Sequence, residues 1–118
     1  MKKCIVIDDD ECTTDVFSEI LESLGLIVVG KGYDGKDAVS LYKRHNPDIS
    51  FIDILMPKYD GFYAIEKIIE INPDAKIIVV TSDNSKDMQR RLDEMKITSL
   101  IYKPYHYSEI THMLEKIK

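Results

Sequence analysis

Ile49-Ser50-Phe51-Ile52-Asp53-Ile54-Leu55-Met56-Pro57-Lys58-Tyr59-Asp60-Gly61 is the stretch that decides the fold. A short apolar run stops at an acid, and a proline and an Asp-Gly pair follow. Such a run, bounded by turn residues, predicts a buried strand at about Ile49 to Asp53. Asp53 then stands at the strand's C-terminal end, at the mouth of a sheet. Its helpers are to be sought at the ends of the other strands.

Those strands are legible on either side. Cys4-Ile5-Val6-Ile7 is a β-branched run that stops at Asp8-Asp9-Asp10-Glu11. The acids suit a helix start, where the helix dipole favours negative charge. Val16, Phe17, Ile20, Leu21 and Leu24 recur at helical spacing, and Gly25 ends that helix as a C′ glycine does. Leu26-Ile27-Val28-Val29 is the second strand, with Gly30, Gly32 and Asp34-Gly35 in the loop after it. Ala38, Val39, Leu41 and Tyr42 mark a helix closed by Asn46-Pro47. Beyond Gly61, Phe62, Ile65, Ile68 and Ile69 give a third helix, ended by Asn72-Pro73-Asp74. Ile77-Ile78-Val79-Val80 and its closing Thr81 form the fourth strand. Met88, Leu92 and Met95 are the apolar positions of a charged fourth helix. Ser99-Leu100-Ile101-Tyr102 is a weaker fifth strand before Lys103-Pro104. Ile110, Met113, Leu114 and Ile117 mark the last helix.

Strands alternate with helices, and strands apolar on both faces belong to parallel sheets covered by helices. Right-handed crossovers lead to an α/β doubly wound (βα)5 three-layer sandwich of flavodoxin-like type. The predicted strand order is 2-1-3-4-5, which makes strands 1 and 3 neighbours at the switch point where ligands bind. The 118 residues fit one domain spanning 1–118, with no output domain expected.

Charge and cysteine usage exclude several classes. The 16 basic and 21 acidic residues give a net charge of −5, against a nucleic-acid surface. Cys4 and Cys12 make no disulfide framework; both read as small buried or half-buried side chains in a reducing compartment. His45, His106 and His112 show no zinc-ligand spacing. No run approaches the ~20 apolar residues of a membrane span, and no signal peptide is visible, so a cytoplasmic protein is expected.

The predicted order gathers Asp8 and Asp9 from strand 1, Asp53 from strand 3, Thr81 from strand 4 and Lys103 from strand 5. Carboxylates about 4 Å apart repel by about 4 kcal/mol at an effective dielectric of about 20. Lys103 offsets part of that, and a hard divalent ion with oxygen ligands, Mg²⁺, suits the rest. A carboxylate nucleophile beside a metal, a hydroxyl and a lysine is a kit for phosphoryl transfer.

At these residues the chain resembles a response-regulator receiver domain of two-component signalling. The resemblance runs from Lys3 to Ile117 and rests on Asp8-Asp9, on Asp53 with Met56-Pro57-Lys58-Tyr59-Asp60-Gly61, on Thr81-Ser82 and on Lys103-Pro104-Tyr105. It implies that Asp53 accepts a phosphoryl group from a sensor histidine kinase or histidine phosphotransfer protein. Asp9, Asp53 and the Leu55 backbone carbonyl would ligate Mg²⁺, with Asp8 acting mainly through water. Thr81 and Lys103 would bind the phosphoryl oxygens, and the Lys103-Pro104 bond would be cis. The protein would act on itself, not on a released substrate, and signal to a downstream protein through the last two helices and strand 5.

Two positions depart from the family pattern. Leu100 stands where receivers carry an aromatic, so Tyr102, on the same strand face, or Tyr105 is the candidate to substitute for it. Leu55 and Asp83 lie two residues past Asp53 and Thr81, at positions that influence loss of the phosphoryl group. Two other readings compete: a pseudo-receiver that docks without phosphorylation, and a haloacid-dehalogenase-type phosphohydrolase using Asp8 of Asp8-Asp9-Asp10. A flavodoxin-like electron carrier is disfavoured, because the acidic loop after strand 1 would repel a flavin phosphate.

Overall fold

The computed structural model describes residues 2–117. It comprises β1 (Lys3–Ile7), α1 (Glu11–Ser23), β2 (Ile27–Gly32), α2 (Gly35–His45) and β3 (Ile49–Ile52). Then come α3 (Gly61–Ile71), β4 (Ile77–Thr81), α4 (Lys86–Asp93), β5 (Ser99–Tyr102) and α5 (Tyr107–Lys116). The strands are all parallel, in the order β2-β1-β3-β4-β5 expected from the sequence.

The central strands are buried on both faces because alternate side chains feed two cores. Ile5, Ile7, Ile52, Ile77 and Val79 pack with α2, α3 and α4, through Tyr42, Ile65, Ile68, Met88 and Leu92. Cys4, Val6, Phe51, Ile78 and Val80 pack with α1 and α5, through Phe17, Leu21, Ile110 and Met113. Side-chain oxygens start the first four helices: Asp10, Asp34, Asp60 and Ser85 each accept a backbone N–H from the first turn. Such caps typically contribute about 1 kcal/mol each. Gly25 has φ +92°, the left-handed C′ conformation that ends α1. Asn46 takes φ 44° at the end of α2, a left-handed conformation that asparagine tolerates at a helix C-terminus.

Three expectations are corrected. Gly30 and Gly32 lie within β2 instead of in a loop. A Cβ at Gly30 would lie 2.7 Å from Leu41 Cδ2, so their lack of side chains lets α2 lie close on the edge strand. Val16 points to solvent, 56% exposed, while Thr14 and Ser18 take the buried side of α1. Thr14 can do so because its hydroxyl donates to the carbonyls of Asp8 and Asp10. Cys12 is exposed in the first turn of α1, whereas Cys4 is buried.

Those two thiols generate a prediction. Burial, with Glu22 nearby, pushes the Cys4 thiol up to about 12, so little thiolate forms at neutral pH. A thiol-reactive dye at pH 8 is expected to label Cys12 rapidly and Cys4 only after denaturant is added. Two equally fast labelling phases in the native protein would contradict this packing.

Candidate functional site

The site sits where β1 and β3 end side by side. Ile7 pairs with Ile52 in register, and the amide of Asp53 donates to the Ile7 carbonyl at 2.9 Å. Asp8 and Asp53 therefore leave adjacent strands at the same level. Both are buried, at 5% and 7% exposure, while Asp9 is exposed. Carboxylate oxygens of Asp8, Asp9 and Asp53 all lie within 4.8 Å of one another, and this is the one such acidic group among the described residues.

Lys103 brings the countercharge from β5. Its ammonium donates to Asp8 Oδ2 and, at 3.2 Å, to Asp53 Oδ2. The other oxygen of Asp53 accepts from the Ile54 amide at 2.7 Å and the Leu55 amide at 3.4 Å. Asp8 Oδ1 likewise accepts from the Asp10 amide at 3.0 Å. Each buried carboxylate is thus held at both oxygens, which fixes its orientation.

The electrostatics follow from this crowding. Burial raises the Asp53 carboxyl above its ordinary value; Lys103 opposes that rise and Asp8 adds to it. Burial pulls the Lys103 ammonium down, but its hydrogen bond to Asp8 and the charges of Asp53 and Asp8 outweigh it and hold it up. One ammonium facing three acids leaves an uncompensated negative site. Hard oxygen donors in that arrangement fit Mg²⁺, which prefers a few carboxylates with room for water.

Thr81 ends β4 beside this group, fully buried, with its hydroxyl accepting the Asp83 amide at 3.2 Å. Lys103 continues the ladder by donating its amide to the Thr81 carbonyl at 2.8 Å. The Lys103-Pro104 bond is cis. The Leu55 side chain points outward, 54% exposed. Asp10 does not join the site. It caps α1, accepting from the Cys12 amide and the Thr13 hydroxyl, and that Thr13 bond chiefly lowers its carboxyl. The Asp8-x-Asp10 spacing therefore brings only one of its two carboxylates into the crevice.

Sequence reasoning missed the supports. A Cβ on Gly61 would meet the Asp53 carbonyl at 2.3 Å, and one on Gly35 would meet the Asp60 carbonyl at 2.5 Å. The Gly35 amide donates to Tyr59. The two Asp-Gly pairs thus lock the β3–α3 loop against both the site and α2. Within that loop Lys58 has φ 67°, an uncommon conformation for a side-chain-bearing residue. The repeated Asp-Gly is the signal that points to these contacts.

The departures resolve unequally. Leu100 and Tyr102 do share a face, against the α2–α4 core. Tyr102 pairs with Thr81 across β4 and β5, and its hydroxyl accepts from Gln89 of α4 at 2.7 Å. Tyr105 lies on the other side, edge-on to Phe17 at 5.5 Å.

Comparison with known proteins agrees with this geometry. Residues 4–115 match the response regulator receiver domain. The chain is 32% identical over 116 residues to the chemotaxis protein CheY of Thermotoga maritima, covering 98% of this chain and 97% of that protein. It is 29% identical over 117 residues to protein CcdB of Bacillus subtilis, covering 99% and 98%. A chain in the crystal structure of the CheX-CheY-BeF3-Mg+2 complex from Borrelia burgdorferi superposes with a TM-score of 0.91 at 25% identity, over 98% of this chain and 88% of that one. The receiver domain of sensor histidine kinase PA1611 from Pseudomonas aeruginosa PAO1, solved with magnesium coordinated in its active site cleft, shares the fold. Its TM-score is 0.88 at 22% identity, over 98% of this chain and 95% of that one.

Two outcomes are expected from this geometry. Gly61→Ala forces backbone apart beside Asp53, so it should destabilise the protein by about 2 kcal/mol or more in urea unfolding. Asp53→Asn should raise metal-free stability at pH 7. A raised carboxyl value contributes stability below the ordinary 3.8 that is lost as pH rises through the folded value. Asparagine, neutral throughout, escapes that loss, so its advantage should vanish in acid. Equal melting of both proteins across that range would remove the crowding argument.

Proposed function

The chain belongs to the response regulator receiver domain family, and from that premise we propose that Asp53 is its phosphoacceptor. The phosphodonor is a phosphohistidine on a sensor histidine kinase or histidine phosphotransfer protein. An Asp53 carboxylate oxygen forms the new O–P bond, the P–N bond breaks, and the imidazole leaves and takes up a proton. The observation that carries the reading is the convergence of Asp53, Asp8 and Lys103, buried together with each carboxylate held at both oxygens.

The side chains divide the work. Backbone amides on Asp53 Oδ1 keep the carboxylate aimed while Lys103 neutralises charge as it develops. Asp8, Asp9, Asp53 and the Leu55 carbonyl are the residues to hold Mg²⁺, which when bound supplies charge neutralisation at the phosphoryl oxygens. Thr81 donates its hydroxyl to a phosphoryl oxygen. Its movement is read through the β4–β5 ladder by Tyr102, and through Gln89 by α4. That route replaces the aromatic missing at Leu100, and the downstream partner is a protein. The reaction is self-phosphorylation and its reversal by hydrolysis, with no released substrate. No helix of the described residues is long and apolar enough to cross a membrane, in keeping with a cytoplasmic role.

Acetyl phosphate with Mg²⁺ tests the assignment by intact-mass measurement. Wild type should gain one phosphoryl group, chelation of Mg²⁺ should abolish the gain, and Asp53→Asn should reduce it at least a hundredfold. Label that persists in Asp53→Asn and maps to Asp8 would transfer the role to Asp8. No Mg²⁺-dependent label in wild type would leave a docking module.

A further inference from the structure

We propose that the groove between α3 and α4 is a docking site for a basic amphipathic helix of a partner protein. It is open along one side, with two lobes of about 470 and about 640 Å3 that share Asp60, Phe62 and Arg91. The inference is independent of the chemistry at Asp53.

The groove exists because α4 is weakly built. It has eight residues, and only Met88 and Leu92 are buried. Apolar packing does not fill the space towards α3. Instead Arg91 reaches across, its guanidinium carbon 3.6 Å from the centroid of the Phe62 ring. An exposed, charged side chain thus covers the apolar floor. Exposed Leu55 borders the end near the site, and half-buried Met95 the far end.

The charge of the lining selects the occupant. Six acids line it (Asp60, Glu66, Glu70, Asp83, Asp87 and Glu94) against the single base Arg91. That local excess of five equals the net charge of the whole chain, so the rest of the molecule is neutral on balance. Glu70 and Asp87 are each paired with a neighbour on their own helix, but Glu66 and Glu94 make no ion pair among the described residues. A nucleic acid is excluded by sign. A single metal ion does not fit, since these acids form no cluster close enough to share one. Positive charge spread along an apolar rod matches both the acids that line the groove and its apolar floor, as in helix-in-groove recognition. Arg91 over Phe62 shows the cation–π contact that a partner's lysine or arginine would take over.

The test uses the intact, ¹⁵N-labelled chain and a designed helical peptide of about 18 residues with leucine on one face and lysine on the other. A control peptide carries glutamate in place of lysine. Peptide-induced shifts should cluster at Leu55, Phe62, Tyr63, Glu66, Glu94 and Met95. Binding should weaken with salt, and the control should not bind. The double variant Glu66→Lys/Glu94→Lys should weaken binding about tenfold or more, and Arg91→Ala should strengthen it severalfold by uncovering Phe62. Circular dichroism and Mg²⁺-induced stabilisation serve as checks that each variant is folded with an intact Asp53 site. If the double variant is misfolded, Glu66→Gln/Glu94→Gln takes its place with the same expected direction. Shifts that map elsewhere, or affinity unchanged in a folded charge variant, would overturn the proposal. Loss of Mg²⁺-dependent phosphorylation with groove binding intact would leave it standing.

Discussion

The Lys103 ammonium, set between the buried carboxylates of Asp8 and Asp53, is the contact on which the arrangement depends. Two buried acids a few ångströms apart are unstable without a cation, since burial disfavours the charged form and each raises the cost of the other. The cation arrives from β5, the acids from β1 and β3. With β4 alone separating β3 from β5, a lysine at the end of β5 spans the gap. The strand order and the electrostatics are therefore one constraint seen at two scales. The residual negative charge, with Asp9 at the rim, is what makes the crevice a candidate cation site.

Around that contact the backbone is packed to the limit. Gly61 meets the Asp53 carbonyl and Gly35 meets the loop before α3, so the β3–α3 loop has no freedom to carry its acid away from the others. Thr14 performs the matching task at β1, tying the turn after Ile7 to α1 through its hydroxyl. Rigid support is the expected partner of a site that works by orientation. By contrast α4 is short, charged and held by a few side chains, Gln89 on Tyr102 and Arg91 on Phe62 among them. The site is fixed, whereas the element beside it is held by few contacts.

The order of elements and the gathering of the candidate site residues were legible because four of the strands are short apolar runs that end at a residue unlike them. Asp8, Asp53, Thr81 and Lys103 stand out at those ends, and parallel-sheet geometry brings strand ends together. Less legible were residues whose role depends on a neighbour distant in sequence. Val16 has the right spacing to be buried, yet Thr14 and Ser18 hold that face of α1. Gly30 and Gly32 look like loop residues until α2 is seen lying over them. Cys12 falls outside the core for the same reason as Val16, because it is on the outer side of α1.

By itself the sequence determined the alternation of strands and helices, the parallel sheet and the set of side chains at its carboxyl edge. These follow from local periodicity and from which residues interrupt it. Tertiary structure alone decided that Asp10 caps α1 while Asp8 turns inward. It also decided that Tyr102 reaches Gln89 while Tyr105 packs on Phe17, and that the acids of α3 and α4 face one groove. Each of those outcomes depends on distances between elements far apart in the chain. Such distances are set when two cores close on a single sheet, and no local pattern encodes them.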